Sequence, residues 1–139
     1  MKHDHPDILK NHSLNYIEMA LRTDKIERIN NPDGYGKRVG ECGDTIEFFL
    51  TCHKHTLKSV SYCTQGCLNT NACCNTVAMF SQGKTIDRAW EIVPEKVIRF
   101  LETLPYDHSH CAELAVGAFY LALANLKSKK TIQHNNSTL

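Results

Sequence analysis

This 139-residue sequence predicts an α+β fold, a small antiparallel three-stranded sheet with about five helices packed mainly on one face. Three observations predict it. Ile46, Phe48 and Leu50 share one face of an alternating stretch whose other face carries Thr45, Glu47 and Thr51, the pattern of a half-buried strand. Beyond Gly66-Cys67 the apolar period changes from that of a strand to that of a helix. Before the strands, Asn31-Pro32-Asp33-Gly34 is a turn signal that closes a first helical stretch. Strands followed by a run of helices put those helices against one face of a sheet.

Taken in order, residues 1–12 are polar and His-rich and are expected to form a flexible segment. His3, His5 and His12 have metal-binding chemistry, but a solvated end is the plainer reading. Ser13 is placed to cap a helix carrying Leu14, Ile17 and Leu21, which the spacing extends through Ile26 and Ile29. Residues 35–39 read as a short edge strand and 45–51 as the central one. His53-Lys54-His55 is the turn, and 57–64 return antiparallel with Val60 and Tyr62 inward. The same alternation sends Cys52 inward and Cys63 outward. A helix follows, capped by Asn69 or Thr70, with Cys73, Val77 and Phe80 on its apolar stripe and Gly83 at its end. Thr85 caps a short helix carrying Ile86, Ala89, Trp90 and Val93. Pro94 starts the next, lined by Val97, Ile98, Leu101 and Leu104 and stopped by Pro105. The last helix is expected over 109–126, with Leu114, Ala118 and Leu121 on one stripe. Residues 13–127 thus read as one domain and 128–139 as a disordered polar tail. Trp90, Phe48 and Tyr62 are core candidates.

Charge is nearly balanced, 16 Lys and Arg against 15 Asp and Glu, which argues against a nucleic-acid or membrane-surface role. The longest apolar run, Leu114 to Ala124, falls short of the ~18 residues of a membrane span. The first residues lack the apolar core of a signal peptide, so the cytoplasm is the expected compartment. Seven cysteines are many for such a chain: Cys42, Cys52, Cys63, Cys67, Cys73, Cys74 and Cys111. In a reducing compartment a disulfide framework is not expected, and the odd number argues against full pairing. Metal binding, sulfur chemistry and plain core packing remain.

Three of the seven stand out by their surroundings. In Glu41-Cys42-Gly43-Asp44 a thiol and a carboxylate lie two residues apart, on the same side if the backbone is extended there. Gly43 between them permits a tight turn or close approach to an ion. Cys67 lies at or just before a helix N-terminus, where free N–H groups and the helix dipole favour the thiolate, and Cys111 lies in the first turn of the last helix. Together they make a three-sulfur cup for a soft or borderline metal, with Asp44 or His110 as fourth ligand. Gaps of 24 and 43 residues match no compact zinc motif, so on spacing alone the plainer reading of each thiol is a small buried hydrophobe. Cys52 and Cys73 read as core and Cys74 is ambiguous. Cys63 is a candidate auxiliary sulfur acceptor, and a separate site of Cys63, Cys67, Cys73 and Cys74 is conceivable.

The ordered set Gly40-Glu41-Cys42-Gly43-Asp44, Gly66-Cys67, Ala72, Gly83-Lys84-Thr85 and Leu104-Pro105 through His110-Cys111-Ala112-Glu113-Leu114-Ala115 resembles the IscU/NifU N-terminal family of iron–sulfur scaffolds. The resemblance covers about residues 32–130. It implies a non-enzymatic scaffold that builds a transient [2Fe-2S] cluster from iron and sulfide and hands it to apo-proteins. By position it makes Cys42, Cys67 and Cys111 the cluster thiolates, Asp44 the aspartate that keeps the cluster labile, and His110 the histidine beside the last cysteine. Zinc fits the same cup when iron is absent. The partners implied are a cysteine desulfurase and apo iron–sulfur acceptors, and a homodimer holding a larger cluster stays open. The Leu-Pro-Pro-Val-Lys element read by a dedicated Hsp70-type chaperone is Leu104-Pro105-Tyr106-Asp107-His108 here, which puts that partner in doubt. Small residues after Gly-Cys become Ala72-Cys73-Cys74-Asn75. These 139 residues carry no ferredoxin-like or Nfu-like pattern, so the architecture of a three-domain NifU is not expected. The gap between Cys67 and Cys111 leaves little room for the insertion of zinc-dependent SufU-type sulfur acceptors. The alternatives are a zinc-bound sulfurtransferase relaying persulfide sulfur and a stable metal-binding interaction module.

Overall fold

The computed structural model describes residues 10–41 and 43–137, with side chains through residue 126. His3, His5 and Cys42, and the expectations that rest on them, lie outside the described residues. The predicted alternation forms one antiparallel sheet of β1 (Gly34–Val39), β2 (Thr45–His53) and β3 (Thr56–Gln65), in that order. Lys54 and His55 both take left-handed φ, 50° and 70°, so two residues suffice to reverse the chain between β2 and β3. Phe48 stands opposite Gly36 and Tyr62, and Leu50 opposite Gly34 and Val60, which puts these four buried side chains and the β1 glycines on one face.

Among the described residues these helices follow the expected order: α1 (Leu14–Leu21), α2 (Leu68–Ser81), α3 (Ile86–Ala89), α4 (Pro94–Leu101) and α5 (Ser109–Ser137). A 3₁₀ turn at Tyr106–His108 leads into α5. Ser13 Oγ accepts from the Tyr16 N–H at 3.1 Å and Thr85 Oγ1 from the Arg88 N–H at 3.2 Å, so both predicted caps form. α5 lies against β1 and β2. At Gly36 a β-carbon would run into the backbone of Ala118 and Ala122, and at Gly34 it would stand 2.6 Å from the Ala122 carbonyl oxygen. Helix and strand therefore touch backbone to backbone, through two glycines and two alanines. Phe119 meets Phe48 edge-on at 5.6 Å between ring centres, and Tyr62 closes the cluster.

Several expectations are corrected. α1 stops at Leu21 and does not reach Ile26 or Ile29. The amide of Asn75 takes the Met19 and Arg22 carbonyls at 2.7 and 3.0 Å, and that of Asn71 takes Ala20 at 3.1 Å, so the helix end is satisfied from α2. The freed segment runs beside β3, with the Tyr62 N–H donating to Lys25 O and the Glu27 N–H to Tyr62 O. α4 ends before Pro105, where Glu102 turns to a φ of 64°. α5 continues past Leu126 to Ser137, since neither glycine nor proline interrupts residues 127–137. Leu121 is 47% exposed, because the helix meets the sheet through Ala118 and Ala122. Trp90 is 37% exposed and leans on Tyr120 instead of entering the core. His12 belongs to no loose end: its ring stacks on Tyr16 at 3.9 Å and its Nδ1 pairs with Thr103 Oγ1 at 2.8 Å.

On the other face of the sheet, Arg28 donates to Glu47 Oε2 at 2.8 Å and lies over the Phe49 ring, while the Tyr35 hydroxyl donates to Glu47 Oε1 at 3.0 Å. The Arg28 guanidinium holds the Glu47 carboxyl below its ordinary range against the opposing effect of burial, with help from Tyr35. A folded value below the unfolded one means that this contribution is complete above the ordinary carboxylate range and is lost as the pH falls through the lowered value. Glu47→Gln is therefore expected to lower the urea midpoint at neutral pH, with the gap to the parent narrowing in acid. Gly36→Ala is expected to cost about 1–3 kcal/mol, read in the same unfolding experiment, because backbone on both sides must give way.

Candidate metal centre

The site is assembled where three chain segments end. The first is the loop between β1 and β2. The Gly40 N–H donates to Asp44 O at 2.8 Å and the Gly43 N–H to Gly40 O at 3.0 Å, closing a tight reversal. Gly43 has a φ of 92°, a conformation in which a β-carbon is strained, so its predicted turning role holds and the extended alternative does not. Asp44 enters β2 directly after it. Cys42, the remaining residue of this loop, lies outside the described residues.

The second segment is the start of α2. The sequence places the cap at Asn69 or Thr70, but the helix begins at Leu68 and Cys67 is itself the N-cap, with extended backbone. The chain leaves β3 through Gly66 and turns into the helix at once. A β-carbon on Gly66 would stand 2.7 Å from Thr70 Oγ1, so glycine is needed there for Thr70 to occupy its place. Cys67 is exposed. Burial pushes its thiol up, but the N–H groups of Thr70 and Asn69 and the side-chain amide of Asn69 oppose that, and its pKa is lowered as predicted. Tyr16 of α1 backs this arrangement, its hydroxyl donating to Asn69 Oδ1 at 2.6 Å. Burial, then the negative charge of Cys67, Cys73 and Cys111, pushes the Tyr16 hydroxyl up to about 12, so it remains a donor.

The third segment is the first turn of α5, which carries Cys111, fully buried. Its Sγ lies 3.8 Å from His110 Nε2 and 3.7 Å from Thr70 Oγ1. Thr70 is the meeting point of all three segments. Its hydroxyl donates to Asp44 Oδ2 at 3.2 Å and lies 3.8 Å from Cys67 Sγ, and the residue is wholly buried. Cys67, Cys111 and Asp44 are therefore brought together, and His110 stands at their edge, stacked on His108 and lining an open cleft with Arg38, Glu41 and Glu113. Among the described residues no three His, Cys, Asp or Glu side chains are by themselves arranged to hold a metal ion.

Sequence reasoning gives Thr70 only a capping role. The signal that finds it is its position one helical turn after Cys67, which puts both on the same face. The other thiols separate by burial. Cys73 and Cys74 are fully buried, and burial first, then neighbouring thiolates, pushes both pKa values well above the ordinary range. They are core thiols, and among the described residues they form no metal-holding group with Cys63 and Cys67. Cys63 is half-buried, not exposed, and burial raises its pKa, the opposite of what a sulfur acceptor needs. Cys52 is half-buried against the core.

The chain belongs to the NifU-like N terminal domain family, whose model matches residues 24–133. It is 28% identical over 102 residues to each of the iron-sulfur cluster assembly scaffold proteins IscU 1 and IscU 2 of Archaeoglobus fulgidus. That match covers 72% of this chain and 66% of either relative, just under two thirds of their length. In fold it is similar to the N-terminal NifU-like protein of Brucella abortus, with a TM-score of 0.70 at 16% identity over 89% of this chain and 98% of that one. A candidate cluster assembly scaffold protein for the SUF system of Fervidobacterium islandicum AW-1 is alike to the same degree, 0.70 at 16% identity, over 82% and 97%. No described helix is long and apolar enough to cross a membrane.

Proposed function

We propose that this protein is an iron–sulfur cluster assembly scaffold that receives iron and sulfide as a [2Fe-2S] cargo and passes the cargo to apo-proteins. The reading rests on one observation: two thiols from different helices and the carboxylate of a glycine-turned loop meet around the buried hydroxyl of Thr70. Family membership and the IscU relatives supply the class of cargo. Cys42, Cys67 and Cys111 are the thiolates of this proposal and Asp44 the fourth ligand, with His110 at the mouth.

The donor set suits a carrier. Each iron of a [2Fe-2S] unit takes four ligands, and durable clusters use cysteine throughout. A carboxylate is a harder donor than a thiolate and holds iron less firmly, so three sulfurs and one oxygen grip the cargo without sealing it. Among the described thiols Cys67, exposed and lowered in pKa, is the one best suited to accept sulfur from the persulfide of a cysteine desulfurase. On this reading the protein is not an enzyme, works in the cytoplasm, and binds zinc in the same cup when iron is withheld. The altered element at 104–108 leaves a dedicated Hsp70-type chaperone outside the proposal.

Anaerobic reconstitution with ferrous iron, sulfide and a desulfurase tests the proposal. A visible-absorbing cluster that then activates an apo-ferredoxin is expected. Retention of tight zinc together with thiol-driven persulfide turnover would replace this reading with the sulfurtransferase one. In the same assay Asp44→Ala is expected to lengthen the life of the cluster, and a shortened life would remove Asp44 as the labile ligand.

A further inference from the structure

Thr70 is neither a metal ligand by chemistry nor a helix cap by position, yet it is fully buried at the point where the three site segments meet. A hydroxyl has one proton to donate and two lone pairs with which to accept. The proton goes to Asp44 Oδ2, at 3.2 Å. Cys67 Sγ and Cys111 Sγ, at 3.8 and 3.7 Å, stand on the remaining sides. Gly66 is the residue that makes room, since any side chain there would strike the Thr70 hydroxyl. The carboxylate comes from a loop turned at Gly43, and the two thiols from helix starts. The Thr70 hydroxyl is the group that contacts all three.

We infer that Thr70 is the positioning residue of the site: its hydroxyl orients the Asp44 carboxylate toward the two thiols and so sets how firmly the fourth ligand holds an ion. This rests on the reading of Asp44, Cys67 and Cys111 as ligands. Carboxylates that bind metals are themselves held by hydrogen bonds, and loss of such a partner weakens metal affinity by about 10–100-fold. A threonine one turn into a helix is a rigid support, because its β-branched side chain has few rotamers and the helix fixes its backbone.

The test uses the full chain and Zn²⁺ alone, which reports the ligand set without cluster turnover. Dissociation constants are measured by competition with a chromophoric chelator for the parent, Thr70→Val, Thr70→Ser, Asp44→Ala and the Thr70→Val/Asp44→Ala pair. Circular dichroism melts run beside them, and Thr70→Ala takes the place of the valine variant if that one does not fold. Thr70→Val is expected to weaken Zn²⁺ binding about 10–100-fold. Thr70→Ser, which restores the hydroxyl, should stay within a few-fold of the parent. In the Asp44→Ala background Thr70→Val should cost nothing more, because the carboxylate it positions is gone. Cobalt(II) added in place of zinc should give a ligand-field spectrum altered by Thr70→Val and unaltered by Thr70→Ser. An unchanged affinity in a folded Thr70→Val protein would overturn the inference. So would tighter binding by Thr70→Ala, which would make the side chain a plug, or an equal loss with and without Asp44. A parent that binds neither zinc nor a cluster would sink the scaffold reading as well, whereas a parent that binds with Thr70 indifferent sinks this inference alone.

Discussion

α5 rests on β1 with almost no side chain between the two backbones, and the rest of the structure depends on that contact. Gly34 and Gly36 carry no β-carbons, and Ala118 and Ala122 carry only one each, so the helix backbone rests almost on the strand. Dispersion attraction falls steeply with separation, and a contact this close leaves no layer of side chains to shift. The consequence reaches beyond the core. β1 leads into the loop that delivers Asp44, and the first turn of α5 carries Cys111. Fixing the strand against the helix therefore fixes a carboxylate against a thiol. Neither group needs to be held by its own neighbours in sequence.

The third arm of the site is fixed by the packing of α2 against two other helices. α2 crosses both α1 and α5 and carries on one end Cys67 and on its inner face Thr70, Cys73 and Cys74. α1 in turn ends where Asn71 and Asn75 supply the hydrogen bonds its last carbonyls need. Asn75 is buried, and its amide oxygen meets no hydrogen-bond donor among the described residues, a cost of order 1–3 kcal/mol that the two satisfied carbonyls offset. The exchange explains why the chain leaves α1 early and lies along β3 instead. It also places Tyr16 behind Asn69, and through it behind Cys67. The scaffold proposal thus draws on a site whose rigid parts are helix starts and whose adjustable part is a glycine loop.

Much of this was legible in the chain. The alternation at 45–51 and the helical stripes after Cys67 are local signals, and local signals are what a periodic pattern reports. Ser13, Thr85, Pro94 and Gly83 mark helix ends by their own chemistry, and each does so here. The errors share a cause. Ile26 and Ile29 keep helical spacing, but the ends of α1 are settled by asparagines from another helix. Leu121 and Trp90 are apolar, but the faces they occupy are not the faces that pack. Cys63 alternates outward as read, but lies on a sheet face that Arg28, Tyr35 and Glu47 partly cover. In each case a partner remote in sequence outweighs a preference written nearby.

By itself the sequence determined the classes of element, their order, and the residues with the chemistry to grip a soft metal, because residue type and spacing are properties of the chain. Family likeness over residues 24–133 followed from the same strings. Only the tertiary structure decided which of the thiols stand together. Cys67 and Cys111 meet at Thr70, while Cys73 and Cys74, on the same helix as Cys67, are sealed in the core. Distance through space is set by how α2 and α5 pack on one sheet, and no spacing along the chain encodes it.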